Sequence, residues 1–507
     1  MKLTYKDLNL ETHRDGRVAQ NEQNLHKVAD SLNSVSSSLC LAKFTQVTLH
    51  LGSGLVHSCH HPKAHKIPLD ELKENPAALF NTTILKTLRK EMLNNIRPKE
   101  CDYCWRVEDN KGISDRFYKS SEDWAIKEYD NIVNSTGDKI FNPTYLEVSF
   151  GNTCNLKCVY CGPEFSSKWV EELKTKGPIV ITDGDNKKQW AQGWQDLDSI
   201  SIPNREQNPY IDAFWEWFPT IYPTLKHYRI TGGEPLLNKN TIKSLDYLIN
   251  NPKQDLELSI NTNLSVPEKI WKDFLNKVIE LENSANFKKI TIFTSLESWG
   301  NKAEYARSDL DFNLLKDRFE ELLEKTTVRC VVMSAYNILS ITSFKEVLEW
   351  ILRLKKQYNY NSSRNMIFNK TGIDIRTNTS KQNVSSFRVG IDIPYLRHPY
   401  YLDAQYCDEN LLLNFIMPCL DFMAENSSEN KYQIHLGFEK YEVEKFQRIV
   451  ENRLQFNSNS NDISLNKAKF FDFVNQIDSR RDQNFLQVFP EMKDFYNQCK
   501  ILREQIQ

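Results

Sequence analysis

Three closely spaced cysteines are the residues in this chain best suited to redox chemistry. Cys154, Cys158 and Cys161 lie in the run Gly151-Asn-Thr-Cys-Asn-Leu-Lys-Cys-Val-Tyr-Cys-Gly162, a C-x3-C-x2-C spacing. A [4Fe–4S] cluster is normally held by four thiolates, so three thiolates leave one iron without a protein ligand. Catalytic metal sites keep such a position free for substrate. The spacing therefore predicts a cluster that binds and reduces another molecule.

A glycine-rich acidic segment follows further along the chain. In the run Ile230-Thr-Gly-Gly-Glu-Pro-Leu-Leu237, an apolar strand end leads into Gly232, Gly233, Glu234 and Pro235. Glycines allow the backbone to approach a ligand closely, and a glutamate can accept a hydrogen bond from an ammonium group. For the cysteines alone, the alternative is a structural zinc site, although zinc usually takes four protein ligands with paired spacings.

Together, the cysteine run and the Gly-Gly-Glu-Pro segment resemble the radical S-adenosylmethionine (radical SAM) enzymes. The resemblance implies that Cys154, Cys158 and Cys161 hold a [4Fe–4S] cluster. It also implies that S-adenosylmethionine chelates the open iron through its amino and carboxylate groups. Gly232, Gly233, Glu234 and Pro235 would then contact that amino group. Reductive cleavage of S-adenosylmethionine would release a 5′-deoxyadenosyl radical, which abstracts hydrogen from the substrate.

The same resemblance implies further cofactor-binding residues. Tyr160 is expected near the adenine, and core packing is its alternative. Four polar residues at strand ends are candidates for contacts to the ribose and carboxylate of S-adenosylmethionine, with ordinary strand-end polarity as the alternative. These four are Asn261, Asn263, Ser295 and Glu297.

Alternating strands and helices are predicted to position these residues. We expect strands over 144–150, 226–231, 255–261, 289–295 and 328–334, separated by helices over 211–218, 241–250, 267–283, 310–323 and 343–358. This alternation predicts an α/β fold with parallel βα units. The carboxyl ends of such strands gather functional groups, and each polar cluster above lies at such an end. The resemblance implies a partial (β/α)6 TIM-type barrel.

A second set of cysteines precedes the barrel. Cys40 and Cys59 flank a predicted β-hairpin with a turn at Gly52-Ser-Gly54, and Cys101 and Cys104 form a C-x2-C pair. Four thiolates make a closed site suited to electron transfer or structure. The layout resembles the SPASM/twitch auxiliary-cluster domains of radical SAM enzymes, and most closely a group with an N-terminal twitch domain. The resemblance implies a second, auxiliary [4Fe–4S] cluster.

Two alternatives to that auxiliary cluster remain open. The C-x2-C pair is equally compatible with a structural zinc site. His60 or His61, which follow Cys59, could ligate iron in place of Cys40, as imidazoles do in Rieske centres. Otherwise both histidines lie on the loop surface.

The predicted domain organisation has three parts. Residues 1–138 form the twitch-like domain, 139–360 the radical SAM core and 361–507 a mixed, mostly helical C-terminal extension. Helices are expected there over 411–419, 441–454, 467–477 and 488–501, with a linker over 457–462. Cys407 and Cys419 in this extension are catalytic candidates that donate hydrogen to a substrate radical, and free structural thiols are the default.

Composition limits the partners. The 507-residue chain has a net charge of −2, which argues against a nucleic-acid partner. It contains no apolar run of membrane-spanning length and no signal peptide, so a cytoplasmic location without membrane attachment is expected. The resemblance favours a peptide or protein substrate and a reductant such as flavodoxin or ferredoxin. The alternatives are a small-molecule substrate (sugar, nucleotide or amino acid) or a non-catalytic metal-binding interaction protein.

Overall fold

The computed structural model describes residues 4–12, 18–183, 188–190, 200–203, 205–284, 287–359, 387–396, 398–428, 436–456 and 460–506. The chain divides into two compact units. The first contains Met1–Gly151, Ser201–Gly232 and Asp255–Leu258, and the second contains Asn152–Ile200, Gly233–Gln254 and Ser259–Gln507. The predicted boundary at 138/139 falls inside the first unit, and the three-domain division stays a prediction.

The strands have the following bounds: β1 Gln46–His50, β2 Leu55–His57, β3 His65–Lys66, β4 Tyr145–Ser149, β5 Lys157–Cys158, β6 Val180–Thr182, β7 Lys188–Trp190, β8 His227–Thr231, β9 Glu257–Thr262, β10 Lys289–Ser295, β11 Arg307–Ser308, β12 Arg329–Met333 and β13 Val389–Asp392. In the first unit the order is β8-β4-β1-β2-β3. Strands β8, β4 and β1 pair in parallel, and β1, β2 and β3 pair antiparallel. The predicted hairpin is therefore β1–β2, and its first strand extends the parallel sheet.

The second unit contains β9 from Ser259 onward, in the order β9-β10-β12-β13, with parallel pairing of β10 with β12 and of β12 with β13. Alternate residues of β9 are buried, as expected for a strand with one face on a core. Two small antiparallel pairs, β5–β11 and β6–β7, complete the strands. The five predicted core strands all occur, each within about two residues of its predicted bounds. The mixed α/β class is confirmed, and the parallel pairing is consistent with the expected partial barrel.

The helices have the following bounds: α1 Glu22–Val35, α2 Ala42–Thr45, α3 Leu69–Glu74, α4 Thr83–Leu93, α5 Asp102–Asp109, α6 Asp115–Ser121, α7 Asp123–Ile126, α8 Tyr129–Val133, α9 Ser167–Lys176, α10 Pro209–Ile221, α11 Lys239–Asn250, α12 Glu268–Asn283, α13 Asn301–Ala306, α14 Phe312–Lys325, α15 Phe344–Tyr358, α16 Glu409–Leu411, α17 Met417–Glu425, α18 Lys440–Leu454, α19 Ser460–Arg481, α20 Phe485–Val488 and α21 Lys493–Gln505. No helix of the described residues is long and apolar enough to cross a membrane.

The C-terminal helices depart from the sequence predictions in three places. The helix expected over 411–419 contains a π-helical segment, Leu412–Ile416, just before Pro418, which has no backbone N–H to continue a regular helix. The helix expected over 488–501 is interrupted at Pro490 for the same reason. Helix α19 begins at Ser460, so the predicted linker over 457–462 is wrong at its end, where Asn and Ser begin the helix.

Candidate functional site

The cysteine loop of the second unit is held against the start of α9. The Ser166 hydroxyl accepts a hydrogen bond from Trp169 N at 3.3 Å, which caps the helix, and donates to Leu156 O at 2.7 Å. The Ser167 hydroxyl accepts from Cys154 N at 3.1 Å. Ser166 thus satisfies an N-terminal amide of α9, and both serines fix the loop backbone. The short C-x3-C-x2-C segment therefore has a defined shape around its thiols.

Two of the three sulfurs receive N–H donors. Leu156 N lies 3.5 Å from Cys154 Sγ, and Arg307 Nη1 lies 3.7 Å from Cys158 Sγ. Burial raises the pKa of Cys154 to about 12 and also raises that of Cys158, where Arg307 opposes the effect. Such thiols are protonated on their own, and metal binding releases the protons. The N–H donors match a thiolate ligand set.

A buried ion pair lies beside the middle cysteine. Arg307 faces Cys158 in the β5–β11 register, and its Nε donates to both carboxylate oxygens of Glu297 at 3.1 and 3.2 Å. The Glu297 side chain is fully buried, and that of Arg307 is 4% exposed. The guanidinium also lies 5.6 Å from the ring centroid of Tyr160. Tyr160 and Glu297 are thus brought together with Cys158.

The Gly-Gly-Glu-Pro segment passes very close to the cysteine loop within the second unit. A Cβ on Gly233 would lie 2.4 Å from Thr153 O and 2.8 Å from Asn152 O, so only glycine fits. Glu234 N donates to Thr153 O at 2.7 Å. Gly232, the last residue of the first unit in this stretch, has φ +134°, which also favours glycine. Pro235 begins a short 3-10 helix, Pro235–Leu237.

The Glu234 carboxylate is buried, with 1% of the residue exposed, and it accepts three hydrogen bonds. The donors are Thr262 Oγ1 at 2.8 Å, Asn263 N at 2.6 Å and Leu236 N at 3.0 Å. Burial raises the pKa of Glu234 to about 7, although these hydrogen bonds oppose the rise. The glutamate therefore ties its own segment to the end of β9 and titrates near neutral pH.

The other strand-end candidates occupy different positions. Asn263 Nδ2 donates to Asn155 Oδ1 at 2.9 Å, so Asn263 contacts both the cysteine loop and Glu234. Asn261 lies on β9 with its amide 4.0 Å from Met333 Sδ. Ser295 is the last residue of β10, opposite Met333 of β12. The cofactor roles of these residues remain predictions.

The residues present fit a three-thiolate cluster with S-adenosylmethionine. Three thiols lie on one eight-residue loop, donors reach two of the sulfurs, and a glycine lets a second backbone segment approach that loop. Among the described residues, no three His, Cys, Asp or Glu side chains converge on one metal ion. In a [4Fe–4S] cluster the thiolates ligate separate irons and do not converge in that way.

The upstream cysteines share one cavity in the first unit. Cys40, Cys59, Cys101 and Cys104 all line it. Met92 and Trp105 pack with the C-x2-C pair, and Cys40 packs against this cluster. Burial raises the pKa of Cys59 to about 11 and those of Cys101 and Cys104 to about 12. The structure thus brings together four thiols from separate places in the chain.

The polar surroundings of this cavity favour thiolate ligands. The Ser114 hydroxyl accepts from Arg116 N at 3.2 Å and donates to Glu108 Oε1, and the Arg116 side chain, which pairs with Glu108 at 2.7 Å, lines the cavity. The side chain of Lys43, only 2% exposed, pairs with Glu100 and lines the same cavity. None of these polar residues was predicted from the sequence as a site residue.

The two histidines after Cys59 differ in their environment. His60 is exposed, as the surface alternative predicts. The His61 imidazole is only 7% exposed, stacks on Tyr103 with ring centroids 3.8 Å apart, and lies 2.7 Å from Asp115 Oδ2. The surface alternative is therefore wrong for His61, whose Nε2 is engaged by a carboxylate.

The candidate hydrogen-donor thiols lie in the second unit near a buried tyrosine. Cys407 and Cys419 are 2% and 1% exposed, and burial raises the pKa of both thiols. Both act electrostatically on Tyr336, whose pKa is raised first by burial and then by these neighbours. Tyr336 follows β12, so the thiols lie near the carboxyl end of that strand. Their catalytic role remains a prediction.

Two arginines beside the cysteine loop could not be found by sequence reasoning. Arg307 and Arg481 are separated from Cys158 by about 150 and more than 300 residues, and no motif marks them. Arg481 Nη1 donates to Lys157 O at 2.9 Å, and Arg307 Nη1 reaches Cys158 Sγ. Only the tertiary fold reveals such contacts.

Parts of this chain are similar in sequence to known enzymes. No protein-family model matches the chain. Over 181 residues, 34% of the chain, it is 27% identical to GTP 3′,8-cyclase of Campylobacter lari. Over 223 residues, 43% of the chain, it is 24% identical to GTP 3′,8-cyclase of Aliarcobacter butzleri. The chain spans 40% and 53% of the lengths of these relatives. Both of these similar proteins are named as enzymes, GTP 3′,8-cyclases.

Proposed function

We propose that the chain reductively cleaves S-adenosylmethionine at the Cys154, Cys158 and Cys161 loop and uses the resulting radical on a substrate. The observation that carries the proposal is the joining of two motifs. Glu234 N bonds to Thr153 O beside Cys154, and Gly233 leaves no room for a side chain there. When bound, the cluster supplies the electron that splits S-adenosylmethionine into methionine and a 5′-deoxyadenosyl radical.

The protein's own residues position and shield this chemistry. The three cysteines would hold the cluster, and Arg307 keeps a buried positive charge beside Cys158. Glu234 would accept from the amino group of S-adenosylmethionine, and its ionised form suits that ammonium best. Release of 5′-deoxyadenosine by the iron-loaded, dithionite-reduced protein tests the proposal. Failure of a fully loaded protein to release it would contradict the proposal.

We further propose that Cys40, Cys59, Cys101 and Cys104 hold an auxiliary [4Fe–4S] cluster. Their shared cavity and the cationic side chains of Lys43 and Arg116 that line it support this. After anaerobic loading with iron and sulfide, we expect about eight irons per wild-type chain and about four in a Cys101→Ala/Cys104→Ala variant.

Iron and zinc are counted together in this comparison. A wild-type chain with about four irons and one zinc, losing only the zinc in the variant, would contradict the auxiliary cluster. Cys330→Ala is the matched control, since this thiol is buried on β12 and should leave the iron count unchanged.

For the substrate we propose a peptide or protein, as the twitch-like cysteine pattern and the long C-terminal extension suggest. A nucleotide is the second candidate, because both relatives are named as enzymes that act on GTP. The two differ in which additive stimulates 5′-deoxyadenosine release. Stimulation by GTP, and not by peptides, would favour the nucleotide, and the converse would favour a peptide.

Cys407 and Cys419 are proposed as hydrogen-atom donors to the substrate radical. Their raised pKa values keep the S–H bond that such a donor needs. Donation converts a carbon radical and a thiol into a C–H bond and a thiyl radical. One electron and one proton then restore the thiol, and the auxiliary cluster or the external reductant is the proposed source of the electron.

A further inference from the structure

The C-terminal helix α19 ends on the cysteine loop within the second unit. Its last residue, Arg481, has a side chain only 2% exposed. Arg481 Nη1 donates to Lys157 O at 2.9 Å, and Nε donates to Glu172 Oε2 at 3.2 Å. Lys157 immediately precedes Cys158, so this helix is hydrogen-bonded to the backbone next to the middle cysteine.

Trp169 connects Arg481 to the backbone of Cys158 itself. The Arg481 guanidinium lies 4.8 Å from the Trp169 ring centroid, and Trp169 Nε1 donates to Cys158 O at 2.8 Å. Two consecutive carbonyls, those of Lys157 and Cys158, are therefore held by Arg481 and by the ring on which it lies. On the opposite strand, Arg307 of β11 pairs with Cys158.

The same contact brings charge to the sulfur. Arg307 Nη1 lies 3.7 Å from Cys158 Sγ, and the buried Arg481 guanidinium bonds to the carbonyl of Lys157, the residue just before Cys158. Glu172, 4% exposed at its side chain, pairs with Arg481 at 3.2 Å and with Lys157 of the cysteine loop at 3.5 Å. A buried cation beside a thiolate favours the more negative, reduced state of a cluster.

We propose that Arg481 is a positioning residue for the cluster at Cys154, Cys158 and Cys161. It fixes the backbone around Cys158 and sets the charge beside its sulfur, which makes the C-terminal extension part of the cluster-binding architecture. This inference rests on the proposed function. Removing groups that orient metal ligands typically lowers affinity or activity by about 10- to 100-fold.

The neighbouring Arg480 provides a matched control on the same helix. Its Nη1 and Nη2 donate to Gly177 O at 2.8 Å and Pro178 O at 2.7 Å, beyond the end of α9. Arg480 therefore also anchors α19 to the chain, but at a segment that follows α9 and not at the cysteine loop. Loss of either arginine removes hydrogen bonds that anchor α19, and of the two only Arg481 bonds to the cysteine loop, at Lys157 O.

The test compares Arg481→Ala, Arg481→Lys and Arg480→Ala in the full-length protein. In the iron-free proteins, amide hydrogen exchange is followed over residues 154–161. In the iron-loaded proteins, the midpoint potential of the S-adenosylmethionine-responsive EPR signal is measured with the rate of 5′-deoxyadenosine release. Arg481→Ala should speed exchange, move the potential to more negative values and slow release by about 10-fold or more.

The other variants make the result specific. Arg481→Lys should retain the potential better than Arg481→Ala while still speeding exchange, because lysine keeps the charge but loses the planar two-point contact. Arg480→Ala should match the wild type in both the amide exchange over residues 154–161 and the midpoint potential. The proposal would be overturned if Arg481→Ala and Arg480→Ala had the same amide exchange and the same midpoint potential. It would also be overturned if both Arg481→Lys and Arg481→Ala kept the wild-type exchange and potential. If the wild type bound no cluster at the three cysteines, the proposed function would fall, whereas the iron-free exchange experiment would still report on the anchoring.

Discussion

We expect replacement of Cys158 by alanine to abolish the release of 5′-deoxyadenosine from S-adenosylmethionine. Cys158 is the middle of the three proposed ligands, and its sulfur is the one that Arg307 contacts. With two thiolates left, a second iron has no protein ligand, and the cluster is no longer held firmly enough to present a single open iron to S-adenosylmethionine. The rate should fall by at least about 100-fold, beyond the typical effect of removing an outer-shell partner. The product is quantified by chromatography after anaerobic reduction with dithionite.

Cys330→Ala is the control for this substitution. Cys330 is a fully buried thiol on β12, and burial raises its pKa to about 12, but no proposed site includes it. Its removal should cost some stability and leave 5′-deoxyadenosine release near the wild-type rate. If Cys158→Ala kept the wild-type rate, Cys158 could not be a cluster ligand.

The second large effect is expected at Glu234. Its pKa of about 7 means that the buried carboxyl is partly protonated at neutral pH. Binding of a cationic amino group favours the ionised form, so the affinity for S-adenosylmethionine should fall as pH drops below about 7. Glu234→Gln should weaken binding at pH 8 by about 10- to 100-fold, the range for a lost hydrogen bond to a charged group. It should also abolish the pH dependence.

The effect of Glu234 on protein stability depends on pH in the opposite direction to its effect on binding. The pKa of Glu234 in the folded protein exceeds its ordinary value of 4.5, so its contribution to the free energy of unfolding is complete below about 4.5 and is lost as pH rises through 7. Asp403→Asn is the control, because burial also raises the pKa of Asp403, which accepts from Tyr395 and Gln405. Binding measured by calorimetry across pH 6 to 8 should keep its slope in Asp403→Asn. A retained slope in Glu234→Gln would contradict the account.

The core strands and the two cofactor motifs could be predicted from the sequence because each depends on a short run of residues. Strands β4, β8, β9, β10 and β12 were predicted because apolar runs in the sequence lead into clusters of Gly, Asn, Ser or Glu. The cysteine spacing and the Gly-Gly-Glu-Pro segment were readable for the same reason. The breaks in the C-terminal helices were missed because only helical periodicity was weighed, and Pro418 and Pro490 were not.

Long-range partners were beyond sequence reasoning. Glu234 was predicted to face a ligand, but its three hydrogen bonds to Leu236, Thr262 and Asn263 depend on how β9 lies beside it. The burial of His61 likewise depends on Asp115 and Tyr103, more than forty residues away. Contacts of this kind arise from tertiary packing, which a single sequence does not encode in any short pattern.

The most direct test of the central claim is EPR spectroscopy of the dithionite-reduced Cys101→Ala/Cys104→Ala variant before and after addition of S-adenosylmethionine. With the upstream pair removed, the remaining signal reports on the loop of Cys154, Cys158 and Cys161. The account predicts a reduced [4Fe–4S] signal whose g-values shift when S-adenosylmethionine binds to the iron that lacks a protein ligand. A signal that does not respond to S-adenosylmethionine, or a loop that binds no iron at all, would contradict it.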